Sequence, residues 1–140
     1  AGSDSRGMDG KTPRNVIGIM EEQRNITDMG GTMRLGAYEC VLRQNSRVFN
    51  IYKKEHIQER HRHRYEFNND FLKEYERSGM QCVGRNPESD LVETVEIPGL
   101  TWYIGTKFHP EYQSTVLQPH PLFVDFVKTA IENKAAAEKK

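Results

Sequence analysis

Residues 80–108, MQCVGRNPESDLVETVEIPGLTWYIGTKF, contain three candidate strands separated by turn residues. The segments MQCVGR, LVETVEI and TWYIGTKF are rich in the β-branched and aromatic residues that favour strands. Pro87 and the Pro98-Gly99 pair mark the turns between them. Adjacent strands joined by short turns pair in the antiparallel direction. This stretch therefore predicts an antiparallel sheet at the centre of the fold.

The segment before this sheet contributes a further strand. TMRLGAYECVL, residues 32–42, alternates Met33, Leu35 and Ala37 against Arg34, Tyr38 and Cys40, and period two predicts a half-buried strand. Two glycines predict a turn at DMGGT, residues 28–32. SRVFNIY is consistent with either strand or helix, and VIGIMEEQ with a short strand or one helical turn. HIQERHRHRYEFN, residues 56–68, is predicted to be extended.

Two helices are predicted. DFLKEYERSG is preceded by Asn68 and Asn69, either of which can cap a helix, and Gly79 ends it. HPLFVDFVKTAIENK is an amphipathic helix with Pro121 in its first turn. We expect its apolar stripe to cover one face of the sheet. The stripe consists of Leu122, Phe123, Phe126, Val127, Ala130 and Ile131.

Composition limits the functional classes. The chain has 140 residues, 20 basic and 20 acidic, so its formal net charge of zero gives no field that favours nucleic acid or an anionic membrane. The apolar runs are far shorter than a membrane helix needs, and the N-terminal residues lack the apolar core of a signal peptide. The two cysteines do not make a disulfide framework, which predicts a reducing, cytoplasmic location.

His109 and Glu111, in TKFHPEY, are the first candidate for chemistry. Residues two apart on an extended chain project to the same side, so the carboxylate can accept the proton of one ring nitrogen of His109. The other nitrogen then serves as a base in the correct tautomer. The alternative is a His-Pro-Glu turn with a surface salt bridge, and the spacing alone leaves both interpretations open.

The run ERHRHRYEFNN, residues 59–69, places arginines and histidines in alternation. The arginine face predicts a clamp for a carboxylate or phosphate, because a guanidinium binds such groups in a bidentate manner. A nucleic-acid patch is disfavoured by the flanking acidic residues. A metal site from His56, His61 and His63 is disfavoured because no cysteines or carboxylates have the usual ligand spacing. A solvated strand edge is the remaining alternative.

Neither Cys40 nor Cys82 is predicted to be a nucleophile. Both occur in strand patterns, and neither lies in a Gly-x-Cys-x-Gly elbow. Both are predicted to be small core residues. The nucleophile that a His–Glu pair would serve is therefore expected outside these 140 residues.

Four segments in order, GGTMRLGAYEC, ERHRHRYEFNN, LVETVEIPG and FHPEYQSTVLQPHPLF, resemble the CTP synthase family. They are similar to the C-terminal part of its class I (triad) glutamine amidotransferase domain, over roughly residues 25 to 132. GGTMRLG with RHRHRYE is specific to that family, whereas HPE marks only the wider class. The resemblance implies an α/β fold, a three-layer amidotransferase-like domain of which this chain is the C-terminal half.

The resemblance also implies an activity. In that family an elbow cysteine attacks the side-chain amide of glutamine, with a His and a Glu completing the triad. Ammonia passes to an amidoligase domain of the same chain, where UTP, activated by ATP with magnesium, becomes CTP; GTP is an activator. His109 and Glu111 match the triad members, Arg64 matches an arginine that binds L-glutamine, and Arg34 is a candidate for the nucleotide-responsive part.

The resemblance predicts the organisation of the chain. Residues 1–24 are predicted to be a flexible lead, 25–134 the C-terminal portion of the amidotransferase domain, and 135–140 a frayed tail. No cysteine precedes GGTMRLG, so we expect this segment alone to be inactive and to hold no cofactor and no metal. The parent is expected to be a homo-oligomer. A non-catalytic binding or regulatory module of the same fold is the alternative function.

Overall fold

The structure is a computed structural model that describes residues 3–8, 11–19 and 33–139. The predicted turn at 28–32, the end of VIGIMEEQ and the predicted boundary between 24 and 25 lie outside the described residues. The strands are β1 Ser3–Ser5, β2 Arg14–Ile19, β3 Arg34–Leu42, β4 His56–His63, β5 Tyr65–Phe67, β6 Gln81–Arg85, β7 Val92–Glu96 and β8 Ile104–Thr106; the α-helices are α1 Arg47–Tyr52, α2 Leu72–Arg77 and α3 Pro121–Ala137.

The main sheet has five strands in the order β4-β3-β6-β7-β8, and all its pairings are antiparallel. Three of these strands, β6 to β8, come from residues 80–108, as their sequence predicts. The order places β4 at one edge and β8 at the other. The segment between β8 and α3 crosses to the β4 edge, where the backbone N–H of His109 donates to the carbonyl of Arg60.

Strand β3 is half-buried as predicted, but with the polar face inward. Arg34 is only 4% exposed and Cys40 is fully buried, whereas Leu35 is 62% exposed. The reason is that Arg34 pairs with the buried carboxylates of Glu66 and Glu93, and Glu93 also pairs with His61 on the neighbouring strand β4. The face of Met33, Leu35 and Ala37 is therefore not the face that packs inward.

A second, three-stranded sheet joins β1, β2 and β5. β2 pairs antiparallel with β5, with Ile17 opposite Phe67. β1 and β2 lie within residues 1–24, the segment predicted to be a flexible lead, and its described part pairs in this sheet. The partner strand comes from about fifty residues further on, and single-sequence reasoning cannot identify such a partner.

The short helices follow local capping signals. SRVFNIY, which could be strand or helix, forms α1, because Ser46 accepts the N–H of Phe49 and Lys53 adopts a left-handed conformation at the C-cap. Asn68 caps a 3-10 turn, Asn69–Phe71, that leads into α2. Gly79 follows α2 with a φ of 99°, a conformation that glycine adopts without strain.

Helix α3 begins at Pro121 as predicted, but it does not cover the sheet with its whole stripe. Leu122 is buried in the core, whereas Phe126 and Ile131 are 50% and 63% exposed. Trp102 donates from Nε1 to Asp125 and packs on Phe126. The tail predicted to fray from residue 135 is helical to Ala137, because its alanines favour helix.

The apolar core lies between the main sheet, α1 and the first turn of α3. It consists of Cys40, Leu42, Val48, Ile57, Val83, Phe108 and Leu122. Gly84 permits a close approach at its centre, since a Cβ there would lie 2.2 Å from Thr94 Oγ1 and 2.7 Å from Cys40 Sγ. The core includes Phe108, so the residue directly before His109 is firmly held.

Candidate active site

His109 and Glu111 form a hydrogen-bonded pair at the edge of the main sheet. Nδ1–H of His109 donates to Oε1 of Glu111 at 2.7 Å. The hydrogen bond from His109 lowers the pKa of Glu111, so the carboxylate stays ionised. With Nδ1 carrying the proton, Nε2 has a free lone pair, and it makes no hydrogen bond to the part of the chain that the structure describes. This is the arrangement of a general base and its orienting carboxylate.

Two neighbouring elements hold the histidine. Its N–H donates to the carbonyl of Arg60 at 2.8 Å, on the outer edge of β4. Its ring stacks on Tyr112, with centroids 5.1 Å apart. The carboxylate of Glu111 belongs to a 3-10 helix, Pro110–Gln113, called here the 110–113 helix, which begins at Pro110. The side chain of His109 is 37% exposed, so its base nitrogen is within reach of another segment or a ligand.

A buried charged cluster lies behind the pair. Nε2 of His61 donates to Oε2 of Glu93 at 2.6 Å, and Nδ1 of His61 donates to the carbonyl of Glu59. Both acceptors have only lone pairs, so both ring nitrogens carry hydrogen. Oε1 of Glu93 lies 2.6 Å from a guanidinium nitrogen of Arg34. Burial raises the pKa of Glu93, but His61 and Arg34 outweigh it and hold that pKa below its usual value.

Glu66 extends this cluster toward β5. Its Oε1 accepts from Nε2 of His63 at 2.5 Å and pairs with Arg34 at 3.2 Å. Burial lowers the pKa of Lys107, which lies near Glu66, Glu93 and Arg34 and precedes Phe108. The ring of Phe108 packs edge-on against His61, with centroids 6.1 Å apart. The cluster therefore supports the backbone from which His109 projects.

The arginine–histidine run is a strand whose faces alternate as predicted. Arg60 and Arg62 are exposed, while Glu59 and His61 point inward. Each histidine of this run pairs with a carboxylate. His56 pairs with Glu39 on the surface, His61 with Glu93 and His63 with Glu66. Among residues 3–8, 11–19 and 33–139, no group of three or more His, Cys, Asp or Glu is arranged to hold a metal ion.

The two arginines singled out by the resemblance occupy different environments. Arg64 lies at the bend between β4 and β5, half-buried, and its Nε has no hydrogen-bond partner in the described part of the chain. Arg34 is held by Glu66 and Glu93 in the interior, with its guanidinium over the ring of Tyr38. Any influence of Arg34 on a nucleotide would therefore have to pass through its buried neighbours, and its regulatory role stays a prediction.

The cysteines have the environments expected of structural residues. Cys40 is fully buried, and burial raises the pKa of its thiol, with the charge of Glu93 adding to the effect. Cys82 is half-buried on β6 and its thiol contacts the carbonyl of Gly84 at 3.7 Å. A thiolate nucleophile needs the opposite conditions, namely exposure and a lowered pKa.

The buried acids of this region were missed by the sequence analysis. Glu59 and Glu93 are 3% and 1% exposed. The signal for Glu59 and His61 was the alternation of the 56–63 strand, which puts both on the face opposite Arg60 and Arg62. Glu93 lies in the predicted strand LVETVEI, and nothing local indicates that a carboxylate there faces a histidine.

The described residues contain no helix that is long and apolar enough to span a membrane.

Comparisons of the sequence and of the fold with known proteins point to the same family. Residues 10–129 match the family model of class-I glutamine amidotransferases. A CTP synthase of Bacteroides thetaiotaomicron is 72% identical over 134 residues, which are 96% of this chain and 25% of that protein. A CTP synthase of Porphyromonas gingivalis is 55% identical over 119 residues, which are 85% of this chain and 22% of that protein. The chain thus spans about a quarter of the length of these curated relatives.

The fold also matches a solved structure. The glutaminase domain of Trypanosoma brucei CTPS with bound acivicin superposes with a TM-score of 0.85 at 31% sequence identity. The match covers 94% of this chain and 51% of that one. It confirms the predicted α/β amidotransferase-like fold, with this chain matching about half of the domain. The predicted resemblance to the CTP synthase family is confirmed by the sequence matches.

Proposed function

Since the chain belongs to the class-I glutamine amidotransferase family, we propose that it is the glutaminase portion of a CTP synthase and supplies the base of glutamine hydrolysis. The parent protein would hydrolyse L-glutamine and use the ammonia for ATP-dependent amination of UTP to CTP, a step of pyrimidine nucleotide biosynthesis. The observation that carries the proposal is the His109–Glu111 pair, in which Nδ1 is hydrogen-bonded at 2.7 Å and Nε2 makes no hydrogen bond to the described residues.

In the proposed reaction, Nε2 of His109 takes the proton of a thiol nucleophile supplied by another part of the parent protein. The same nitrogen returns the proton to the departing nitrogen of glutamine, which leaves as ammonia. Glu111 holds the ring in the required tautomer and stabilises the imidazolium that forms. Both thiols of this chain have structural environments, so this segment alone is expected to be inactive.

Arg64 is proposed to bind the α-carboxylate of glutamine. It lies four residues beyond Arg60, whose carbonyl holds His109. That separation is roughly 13 Å along an extended strand, a span that a bound glutamine and an extended arginine side chain can bridge together. Its unpartnered Nε supports the proposal, because a guanidinium donor that is half-buried requires an acceptor.

The remaining partners are assigned by family. ATP, magnesium and UTP belong to the amidoligase domain of the parent chain, and GTP acts as its activator. The described residues provide no metal-binding cluster, so they do not fit a magnesium site. A cytoplasmic homo-oligomer is proposed for the parent protein. No nucleic-acid or membrane partner is proposed, because the net charge of the chain is zero.

The experiment uses the full-length protein that carries this segment. Glutamate release from glutamine and CTP formation from UTP are measured for the parent protein and for His109→Asn. The variant is expected to lose both glutamine-dependent reactions while CTP formation from added ammonium continues. The matched control is His56→Asn, because Nδ1 of His56 pairs with Glu39 at 2.6 Å in the same way on the surface. A parent protein that releases no glutamate would support the alternative, a non-catalytic module.

A further inference from the structure

We propose that Glu59 is a positioning residue that fixes the 110–113 helix, and with it the carboxylate of Glu111, against β4. The inference rests on the proposed glutaminase function, because it concerns the same His109–Glu111 pair. Glu59 touches neither residue of the pair. It would act through Gln113 and His120, the side chains that bracket the segment in which Glu111 is carried.

The 110–113 helix has little of its own to hold it in place. It is four residues long, contains no buried residue and receives no side-chain hydrogen bond at its N-cap. Glu111 is 54% exposed at its side chain, and Tyr112 is 46% exposed. A single 3-10 turn without a core is not stable by itself. Contacts from outside must therefore set the distance between His109 and Glu111.

Two anchors supply these contacts, one at each end, and both lie on β4. At the start, the N–H of His109 donates to the carbonyl of Arg60 at 2.8 Å. At the end, the amide nitrogen of Gln113 donates to the carbonyl of Gln58 and to Oε2 of Glu59, both at 2.9 Å. The second anchor uses both hydrogens of the Gln113 amide, so its direction is fixed.

The carboxylate of Glu59 is itself held rigidly. It is 3% exposed. Its Oε1 accepts from the hydroxyl of Tyr52 at 2.7 Å and from Nε2 of His120 at 2.8 Å, while Oε2 faces Gln113. Burial raises the pKa of Tyr52, and Glu59 raises it further, so the tyrosine remains a donor. A buried carboxylate with three donors has one orientation, which it can impose on Gln113.

His120 connects Glu59 to the far end of the segment. Its Nδ1 accepts the N–H of Leu122 at 3.3 Å and caps α3, which leaves Nε2–H for Glu59. Its backbone N–H donates to Oγ of Ser114 at 3.1 Å. One carboxylate on β4 thus joins the end of the 110–113 helix to the start of α3.

The first test measures hydrogen–deuterium exchange in the full-length protein. Glu59→Gln keeps the shape but turns one oxygen into a donor that faces other donors. We expect the amides of Tyr112 and Ser114, which donate to His109 and Glu111 carbonyls, to exchange about tenfold faster, as loss of a charged hydrogen bond predicts. Glu39→Gln is the control, because it breaks a carboxylate–histidine hydrogen bond of β4 on the exposed surface; it should keep wild-type exchange at these two amides. Wild-type exchange in Glu59→Gln would overturn the proposal.

The second test separates positioning from general stability. Glu59→Gln should lower kcat for glutamine hydrolysis by about 10- to 100-fold, with KM changed by less than about twofold, because misplacement by a fraction of an ångström affects the chemical step most. When Glu59→Gln is added to a Glu111→Gln variant, kcat should fall by less than about threefold further. Equal losses in both backgrounds would show that Glu59 does not act through Glu111, and would overturn the proposal.

Gln113→Leu covers the case in which Glu59→Gln fails to fold. Gln113 is exposed, so this variant removes the two hydrogen bonds of its amide to β4 without disturbing the interior. It should reproduce the faster exchange and the lower kcat, and adding Glu59→Gln should lower kcat by less than about threefold more. A wild-type protein that releases no glutamate refutes the proposed function only, since the exchange experiment still decides the role of Glu59.

Discussion

Nε2 of His61 lies 2.6 Å from Oε2 of Glu93, and neither side chain is exposed to solvent. The pair is placed between β4 and β7 although these strands are not neighbours in the sheet. β3 and β6 lie between them in the order, and Arg34 on β3 pairs with the other carboxylate oxygen of Glu93. Three strands are therefore joined by one set of ion pairs directly behind the residue that precedes His109.

Glu93→Gln should destabilise the domain strongly. Removing one partner of a buried ion pair costs about 3–5 kcal/mol, because Arg34 keeps only Glu66 as a counterion and His61 loses the acceptor of its Nε2–H. The measurement is the calorimetric unfolding transition of the amidotransferase part of the full-length protein. Glu88→Gln is the control, since Glu88 is exposed and a surface change is expected within about 0.5 kcal/mol. Similar transitions for both variants would contradict the account of the cluster.

The contribution of Glu93 to the stability of the folded state should disappear in acid. The pKa of this group is lower in the folded state than its usual 4.5. Its stabilisation is therefore complete above that value and is lost as pH falls through the lowered folded-state pKa. The difference in unfolding temperature between wild type and Glu93→Gln should be constant from pH 7 to about 5 and should narrow only below the usual value. A difference that vanishes near pH 6 would assign the effect to another group.

Glu111→Gln should reduce glutamine hydrolysis without a large change in KM. Loss of the orienting carboxylate in comparable triads lowers kcat by about 10⁴-fold, and the exposed position of Glu111 predicts a loss of about 10²- to 10⁴-fold. Glu39→Gln is the control, because it breaks the surface His56–Glu39 pair. The hydrogen bond from His109 lowers the pKa of Glu111, so the carboxylate that the variant removes is ionised in a neutral assay buffer.

Gly84→Ala should destabilise the domain by steric overlap. The added methyl would lie 2.2 Å from Thr94 Oγ1 and 2.7 Å from Cys40 Sγ, inside a packed core. Overpacking of this kind costs typically about 1–3 kcal/mol. Gly99→Ala is the matched control, because a Cβ at that glycine meets nothing within 4 Å. Thermal unfolding of the two variants checks the difference, and an equal effect would mean that Gly84 is not tightly enclosed.

The two cysteines should be alkylated at different rates in the folded protein. Cys40 is fully buried, and burial raises the pKa of its thiol, so it should react with iodoacetamide only after unfolding. Cys82 lines a surface cleft beside Val41 and Arg85 and should be labelled first, at the slow rate of an unactivated thiol. Peptide mass spectrometry of the native and denatured protein gives the order. Rapid native labelling of Cys40 would contradict its placement in the core.

Elements with strong local signals could be predicted from the sequence. The period-two run of β3, the β-branched and aromatic segments of β6 to β8 and the Pro121 start of α3 needed no distant information. The His109–Glu111 pair could also be proposed, because residues two apart at a strand end share a side. The alternation of the 56–63 run similarly separated Arg60 and Arg62 from His61.

The features that depend on distant pairing could not be predicted. Arg34 on β3 faces inward because it pairs with Glu66 of β5 and Glu93 of β7, and no local pattern encodes these pairings. β2 becomes a strand because Tyr65–Phe67 provides a partner. The exposed stripe of α3 follows an apolar period of 3.6, which predicts an amphipathic helix but not how much of it this part of the fold covers.

The placement of the His109–Glu111 segment along β4 has a consequence for solubility. β4 is the last strand of the main sheet on that side, and its outward carbonyls at Gln58 and Arg60 are occupied by Gln113 and His109. Unoccupied, such a row of groups would invite a strand from a second molecule to add to the sheet. The segment that carries His109 therefore also covers the edge of the sheet. A variant that displaces this segment from β4 should aggregate more readily as well as lose activity.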